Sequence, residues 1–439
     1  MTAAPIKLKD NDISDQLSRS QMLGIQAVLS GCPLVICQGG AGSGKSAFLY
    51  ALRKRLETLD KSVAVAAPTG IAALNVEGET IHRLFRFPTH VIDVRNGFSP
   101  KIIEELATID VLILDEMSMI RADIMDAIDH ALRAIRKDAR PFGGVQVVLI
   151  GDVMQICPIV TREEAPHFRV LYRSAWFFDS NVMQYLAEQR QYSFVWFRET
   201  FRQPDEEFVN VLNAVRRGSD TDQVVRYLNH RCSSTPSDSH IVLTSYRGDA
   251  ERINQVRLSD LSEKPRTYHG EFTGRFSKNE NNLPSPSELT LKVGAQVMVT
   301  KNTDGLANGT LGMVTDMGPD HVAVQVADGA RVVLGAETWH QYGVTSKGGS
   351  VEANSVGTYS QIPLTLGYAQ TVHRAQGLTL PAVAIDLGRG AFAGGQAYVA
   401  LSRVRSLADL AFVRPLQPSD IQISVEARDW LSAQIPYAG

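Results

Sequence analysis

Between residues 39 and 46 the chain reads GGAGSGKS, and Gly39, Gly44, Lys45 and Ser46 fit the spacing GxxxxGK[ST]. The chemistry open to such a segment is anion binding. Across Gly39, Gly40, Ala41, Gly42, Ser43 and Gly44, main-chain N–H groups can cradle phosphate oxygens. Lys45 can neutralise the β and γ oxygens of a nucleoside triphosphate such as ATP, and the Ser46 hydroxyl can ligate Mg2+. The flanks suit that use, because Val35 and Ile36 precede the loop in an apolar run and Phe48 to Leu56 follow it with a helical pattern. Downstream, VLILDE places Asp115 and Glu116 at the end of another apolar run. There one carboxylate can enter a magnesium shell while the other polarises an attacking water. A third run ends in GDVMQICP, which puts Asp152 and Gln155 at the same sheet edge, where open α/β sheets bind ligands. Gln155 suits a sensor of the γ-phosphate, and Asp152 suits a residue that shapes the turn.

The elements that must position these groups follow from periodicity. LVICQG, VAVAAP, VLILDE and VQVVLIGD are short, continuously apolar and separated by helical patterns such as SAFLYALRKRLETL, which reads as a parallel sheet covered on both faces. In DIMDAIDHALRAIRK, the residues Ile124, Ile128, Ala131, Leu132 and Ile135 recur at helical spacing and predict one packing face. A second alternation runs through EFVNVLNAVRRG and HIVLTSY and returns as AVAIDLG and LAFVR. Between its halves the composition changes. Residues 265–360 are rich in Gly, Asn, Ser and Pro, with hairpin turns expected at Asn308-Gly309 and Asp328-Gly329, so a small β-barrel is expected there. KNENNLPSPSE, at 278–288, reads as a surface loop. The resulting division is a first α/β domain over 1–195, a second over 196–264 plus 361–439, and the barrel inserted at 265–360.

Composition bounds the partners less tightly. With 439 residues and 44% hydrophobic content the chain can bury several cores. Its formal charge of -3 supplies no bulk attraction to a polyanion, so any nucleic-acid groove must be a local feature. No apolar run reaches membrane-spanning length and the N-terminus lacks a signal-peptide core, which leads to the expectation of a cytoplasmic protein without a membrane partner. Cys32, Cys37, Cys157 and Cys232 show no metal-ligand spacing and are expected as reduced, mostly buried thiols.

Late in the chain, YVALSRV places Arg403 on an expected helix, where a second domain could present a guanidinium to the triphosphate. Around it stands an ordered set of segments. They are Gln21, GGAGSGKS, APTGIAALN at 67–75, GETIHRLF at 78–85, LDEMSM at 114–119, RPFGGVQVVLIGDVMQICPI at 140–159 and ETFRQPDEEFVNVLNAVRRG at 199–218. LKVGAQVMVTKN at 291–302, NGTLG at 308–312, YAQTVHRAQGLTL at 368–380 and GGQAYVALSRVRSL at 394–407 complete it. In these segments the chain resembles superfamily 1 DNA helicases, specifically the petite integration frequency (PIF) family, with RecD-type helicases as more distant relatives. The resemblance runs from about Leu17 to Leu410.

It implies an α/β chain of two tandem RecA-like P-loop domains, with a short wedge insertion at about 86–100 in the first and a Src-homology-3-like barrel in the second. The implied activity is ATP-dependent movement on single-stranded DNA, 5′ to 3′, with duplex unwinding, using ATP and Mg2+, on single-stranded and forked DNA, by an active monomer. Gln21 would then read the adenine, and Lys45 and Ser46 would hold phosphates and magnesium. Asp115 would bind metal and Glu116 activate water, while Gln155 would couple the γ-phosphate to movement. Arg202 and Arg403 would reach the γ-phosphate, with Gln376 and Gly377 lining the same cleft. Thr69, Thr80, His82, Phe85, His373 and Thr379 would contact the strand, although Phe85, within HRLFRF, could instead be a core side chain and His82 could equally cap or brace a loop. The chain departs from the family pattern at Ser43, where Thr is usual, at Ile156 and Cys157, where Leu-Pro is usual, and at Arg374, where Lys is frequent. Two other classes fit the same motifs: an ATP-dependent single-strand clamp that does not unwind, and a P-loop ATPase acting on proteins with an arginine supplied by a neighbouring subunit.

Overall fold

Strands without polar interruptions must be covered on both faces, and in the computed structural model β1 (Leu34–Gly39) and β4 (Val111–Leu114) are buried along their whole length. The structure describes residues 17–434 apart from 89, 96–99, 102, 204, 233–234, 238–239, 281–282, 304–305, 328 and 348–349. With β2 (Val63–Ala67), β3 (Glu79–Thr80), β5 (Gln146–Gly151) and β6 (Tyr192–Phe197), these strands form one sheet in the order β3-β2-β4-β5-β1-β6. Every pairing in it is parallel. The connections carry α1 (Arg19–Leu29), α2 (Lys45–Glu57), α3 (Gly70–Asn75), α4 (Ile81–Leu84), α5 (Ala122–Arg136), α6 (Ala165–Leu171) and α7 (Asn181–Glu188). All five residues expected on the packing face of α5 are buried. Among the described residues of the expected wedge, 86–100, there is no strand or helix.

The chain divides into two units. One takes the chain up to Phe201 with Gln341–Val356 and the segment from Ser424 on; the other takes Arg202–His340 and Gly357–Ile423. This differs from the division expected from sequence at the first boundary, at the last segment and at Gln341–Val356, which was expected within the barrel. The first boundary lies later because Tyr192–Phe197 pairs with β1, and beyond it the Phe201 N–H donates to the Gly42 carbonyl at 2.8 Å. The last segment groups with the first unit, where Trp430 stacks on Phe178 at 4.8 Å and the Trp176 indole donates to the Ser424 hydroxyl at 2.9 Å.

The second unit opens with α8 (Glu206–Arg217), α9 (Thr221–Arg231), β7 (Ile241–Thr244) and α10 (Arg247–Ser259). An antiparallel insertion follows. It contains β8 (Arg266–His269), β9 (Glu271–Gly274), β10 (Glu288–Leu291), β11 (Gln296–Val299), β12 (Leu311–Met317), β13 (His321–Val326), β14 (Arg331–Gly335), β15 (Glu337–Lys347), β16 (Ser350–Gln361) and β17 (Leu364–Leu366). These assemble as a five-stranded sheet β14-β13-β12-β11-β17 with two smaller sheets, β10-β8 and β15-β16-β9. Leu289, Leu291, Val297, Val322, Val324 and Leu364 share its core with Leu258 of α10. The insertion therefore extends past residue 360. Gly309 takes the left-handed φ of 88° that the Asn308-Gly309 turn requires, whereas Asp328 of the other expected turn lies outside the described residues. The segment expected as a surface loop at 278–288 holds two fully buried side chains, Leu283 and Ser285, so it is pinned rather than purely solvated. The chain then returns to a parallel sheet with β18 (Ala369–Thr371), β19 (Val383–Asp386) and β20 (Leu410–Phe412), in the order β18-β7-β19-β20. α11 (Gln396–Leu401) precedes β20, and α12 (Val425–Gln434) is the last described element.

Candidate active site

The phosphate loop is shaped by contacts that admit little other than glycine at two positions. A Cβ on Gly39 would stand 2.3 Å from the Ser43 hydroxyl, and one on Gly44, at φ 76°, would stand 2.6 Å from the Gln21 amide nitrogen. Gly44 caps α2, so Lys45 and Ser46 open the helix and its first N–H groups face the loop. The Lys45 ammonium donates to the carbonyls of Gly39 and Gly40 at 3.0 and 2.9 Å, and the Ser43 hydroxyl donates to Gly40 at 2.9 Å.

Gln21 sits at the third position of a capping box. Its carbonyl oxygen accepts from the Ser18 N–H, and its amide donates to the carbonyls of Ser43 and Gly44, both at 3.1 Å. Here Gln21 braces the phosphate loop from behind. Glu199 holds the same turn by accepting from the hydroxyls of Ser18 and Ser20. Phe201 completes the surroundings: its ring is 60% exposed and lies 3.3 Å from the position of a Cβ on Gly44. Its place between Thr200 and Arg202, inside a segment already singled out, was the only sequence signal for it.

Asp115 follows β4, and its N–H donates to the Ala66 carbonyl at 2.9 Å. Burial, and then the neighbouring Glu116 carboxylate, push its pKa up to about 7 against the pull of Lys45. Glu116 itself has a left-handed φ of 52°, a strained setting for a residue with a side chain and one that recurs at functional positions. Ser46 and Asp115 supply one hydroxyl and one carboxylate, a donor set that suits Mg2+, which takes few protein ligands and completes its oxygen shell with phosphates and water. Among the described residues no group of three or more His, Cys, Asp or Glu forms a protein-only metal site. Asp152 shapes the turn, accepting from the Gln38 amide at 2.7 Å and the Met154 N–H at 3.1 Å; Gln155, buried beside it, donates its N–H to the Asp152 carbonyl.

Within the second unit the structure brings Arg202, Gln376, Gly377 and Arg403 together. Arg202 donates to the carbonyls of Ser402 and Gly377 at 3.0 and 3.4 Å, and burial lowers its pKa. Gln203 donates to the carbonyls of Ser402 and Val404, the two residues flanking Arg403. Arg403 is held by four bonds inside its own unit, to the carbonyls of Val399, Ala375 and Leu378 and to the Ser402 hydroxyl. The sequence suggested a presented guanidinium; in the structure Arg403 is 1% exposed and its side chain ties the end of α11 to the turn at 375–378.

The strand-contact candidates sort unevenly. Thr69 and Thr80 stand just beyond or at the ends of the paired strands β2 and β3, and their hydroxyls cap α3 and α4 by accepting from Ala72 and Arg83. His82 is half-buried, and desolvation lowers its pKa. Phe85 is corrected: its ring is 1% exposed and stacks on Phe87 at 5.1 Å, so it belongs to the core and offers no free face to a base. His373 and Thr379 lie in the loop after β18, where Arg374 donates to the Leu283 carbonyl at 2.8 Å.

Comparison with known proteins now decides the family. The model of the PIF1-like helicase family matches residues 17–226, and that of the DNA helicase Pif1 2B domain matches 277–317. The unliganded structure of Pif1 from Bacteroides sp is 33% identical, with a TM-score of 0.84, over 95% of this chain and 96% of that one. The chain belongs to the PIF1-like helicase family. Bacteroides Pif1 has also been solved in complex with ADP-AlF3 and ssDNA, at 32% identity and a TM-score of 0.68 over 95% of this chain and 97% of that one. The ATP-dependent DNA helicase PIF1 of Homo sapiens is 33% identical over 411 residues, which cover 90% of this chain and 60% of the human protein. The chain thus spans little more than half of that relative's length. Among the described residues no helix is long and apolar enough to cross a membrane.

Proposed function

We propose that this chain is an ATP-driven DNA helicase that moves 5′ to 3′ along single-stranded DNA and separates duplex as it goes. The observation that carries the reading is the set of groups at one sheet edge of the first unit: a glycine-shaped phosphate loop, Lys45 and Ser46 opening α2, and the buried Asp115 with the half-buried Glu116 after β4. ATP would seat its phosphates on residues 39–46 and its purine against the exposed ring of Phe201, with Gln21 holding the loop beneath. A magnesium ion held by Ser46 and Asp115 would neutralise charge developing on the phosphates. Glu116 would orient and deprotonate the attacking water, and Gln155 would register the γ-phosphate. Arg202 and Arg403 of the second unit would add positive charge at the γ-phosphate. A triphosphate that attracts both arginines and a diphosphate that does not would differ in their affinity for a closed arrangement, and that difference is what can drive a stroke. Thr69, Thr80, His82, His373 and Thr379 would lie along the strand. The relative solved with single-stranded DNA supports that choice of track.

The deciding experiment measures ATP hydrolysis with and without single-stranded DNA, and strand separation on matched forks carrying a 5′ or a 3′ tail in the presence of a strand trap. Stimulated hydrolysis and separation only from the 5′ tail are expected, with Lys45→Ala lowering hydrolysis by ~10²-fold or more. Stimulated hydrolysis without separated strands would identify a clamp instead, and hydrolysis indifferent to DNA would remove the nucleic-acid track altogether.

A further inference from the structure

Three neighbouring parallel strands of the second unit, in the order β18-β7-β19, end on side chains whose rings meet. Tyr246 follows β7, His373 follows β18, and Arg389 and Phe392 lie in the loop after β19. The Tyr246 and Phe392 ring centroids are 5.2 Å apart, those of Phe392 and His373 are 5.8 Å apart with planes at 11°, and the Arg389 guanidinium lies 6.0 Å from the Tyr246 ring centre. The loops are joined by main-chain contacts: Val372 N–H donates to the Thr244 carbonyl at 3.0 Å, and the Ser245 hydroxyl donates to Gly390, at φ 112°, at 3.4 Å.

This row is not core. Tyr246 is 40% and Phe392 45% exposed, so two aromatic rings in contact with each other still show much of their surface to solvent. At its inner end the Nε2 atom of His373 is buried without a hydrogen-bond partner, a cost that a ligand group could relieve. Burial also lowers the pKa of this imidazole, which favours its neutral form. At the outer end stands a guanidinium.

We propose that Arg389, Tyr246, Phe392 and His373 form a ladder on which the unstacked bases of single-stranded DNA seat, with Arg389 drawing in the backbone phosphates. The proposal rests on the reading of single-stranded DNA as the track and extends it from His373 to three residues that no motif assigned. The chemistry selects the ligand. Offset and tilted rings accept flat, neutral π-faces, and every base has one, so such a platform tolerates any sequence. The adjoining cation favours a polyanion that carries those faces. The carboxyl ends of parallel strands are where open α/β sheets receive ligands.

The test is fluorescence anisotropy, without nucleotide, using a labelled oligothymidylate and a matched strand that is abasic at its central positions. Wild-type protein is expected to bind the abasic strand ~10-fold or more weakly. Phe392→Ala and Tyr246→Leu are expected to weaken binding of the base-bearing strand by about 5- to 100-fold, the range of one stacked base, and to remove most of the discrimination. Phe392→Trp restores a π-face and should recover it. Arg389→Ala should weaken both strands alike and reduce the salt dependence. Tyr185→Ala, which removes a 47% exposed aromatic from the first unit, serves as the control and should change nothing. Both ring positions are half-exposed, and an unchanged melting curve establishes that each variant is folded. If wild-type protein discriminates and the folded ring variants bind as it does, the ladder is not a base platform and serves something else, such as a protein partner. If wild-type protein binds no single strand, the broader reading of the track falls with it.

Discussion

At the scale of single residues, the nucleotide site sets stability against function. Asp115 has a carboxyl that burial and the adjacent Glu116 raise to about 7, far above the ordinary value near ~3.9 for an unfolded chain. The folded protein therefore binds more protons than the unfolded one between those two values, and stability falls as pH rises through that interval. Below it both states are protonated and nothing is lost; above about 7 the loss is complete. Asp115→Asn removes the titration. Its melting temperature in the absence of nucleotide should exceed that of wild-type protein by a few degrees at pH 8 and by less at pH 5, while ATP hydrolysis collapses; an identical gain at both pH values would contradict the linkage. The phosphate loop and the acidic pair were legible in the sequence because their spacing is local. What Gln21, Phe85 and Arg403 touch was not legible, because each is decided by a partner distant in sequence or by packing. The Gln21 amide is bonded to loop carbonyls 22 and 23 residues away, and Arg403 to carbonyls 25 and 28 residues away. Phe85 turned inward because Phe87 and the surrounding apolar side chains cover it, which HRLFRF alone could not state.

At the scale of elements, α5 shows a pattern that was readable and a connection that was not. Its apolar stripe fixed which face would be buried. The RPFGG stretch that opens the segment at 140–159 carried no indication of what it does, and the structure supplies it. After α5 the chain folds back so that the Phe142 N–H donates to the Asp129 carboxylate at 2.6 Å, Arg136 donates to the Gly143 carbonyl at 2.8 Å, and the Phe142 ring is fully buried. Phe142 and Gly143 both take left-handed φ values, 53° and 60°. A Cβ on Gly143 would stand 2.5 Å from the Leu132 carbonyl, which is helix backbone and cannot swing aside. Gly143→Ala therefore combines left-handed strain with a backbone clash and should destabilise the first unit by about 2 kcal/mol or more. Urea unfolding monitored by tryptophan fluorescence measures it, and a shift in midpoint below that expected for ~0.5 kcal/mol, typical of a neutral surface change, would show that the turn can relax.

At the scale of the whole chain, the order of segments has a mechanical consequence. The polypeptide passes between the two units at Phe201-Arg202, His340-Gln341, Val356-Gly357 and Ile423-Ser424, so the second unit's sequence is anchored at both ends and once between them. Nothing in the sequence pattern marked the later anchor, since α12 alternates like any surface helix and the hydrogen-bond partners around it lie 242 and 248 residues earlier. Ten residues of helix are too few to persist in water without packing. α12 must therefore be held by its contacts: Trp430 stacks on Phe178 at 4.8 Å and meets Phe177 and Phe194 edge-on at 5.7 and 5.9 Å, and the Tyr192 hydroxyl donates to Gln434 at 2.6 Å. Trp430→Ala removes the centre of that cluster while leaving the strands beneath it in place. Because the indole is only partly buried, a cost of about 2 kcal/mol is expected, below the range for a fully buried aromatic and equivalent to about 4–8 °C in melting temperature for a unit of this size. The loss should be local as well as global. In hydrogen exchange, amides of α12 should lose protection first, those of β6 and of Phe177–Asp179 next, and those of β5 last, while Trp430→Phe, which keeps a ring for Phe178 to stack on, recovers most of it. Equal loss across the first sheet, or a melting temperature that does not move, would mean that α12 rests on this unit without anchoring the chain to it.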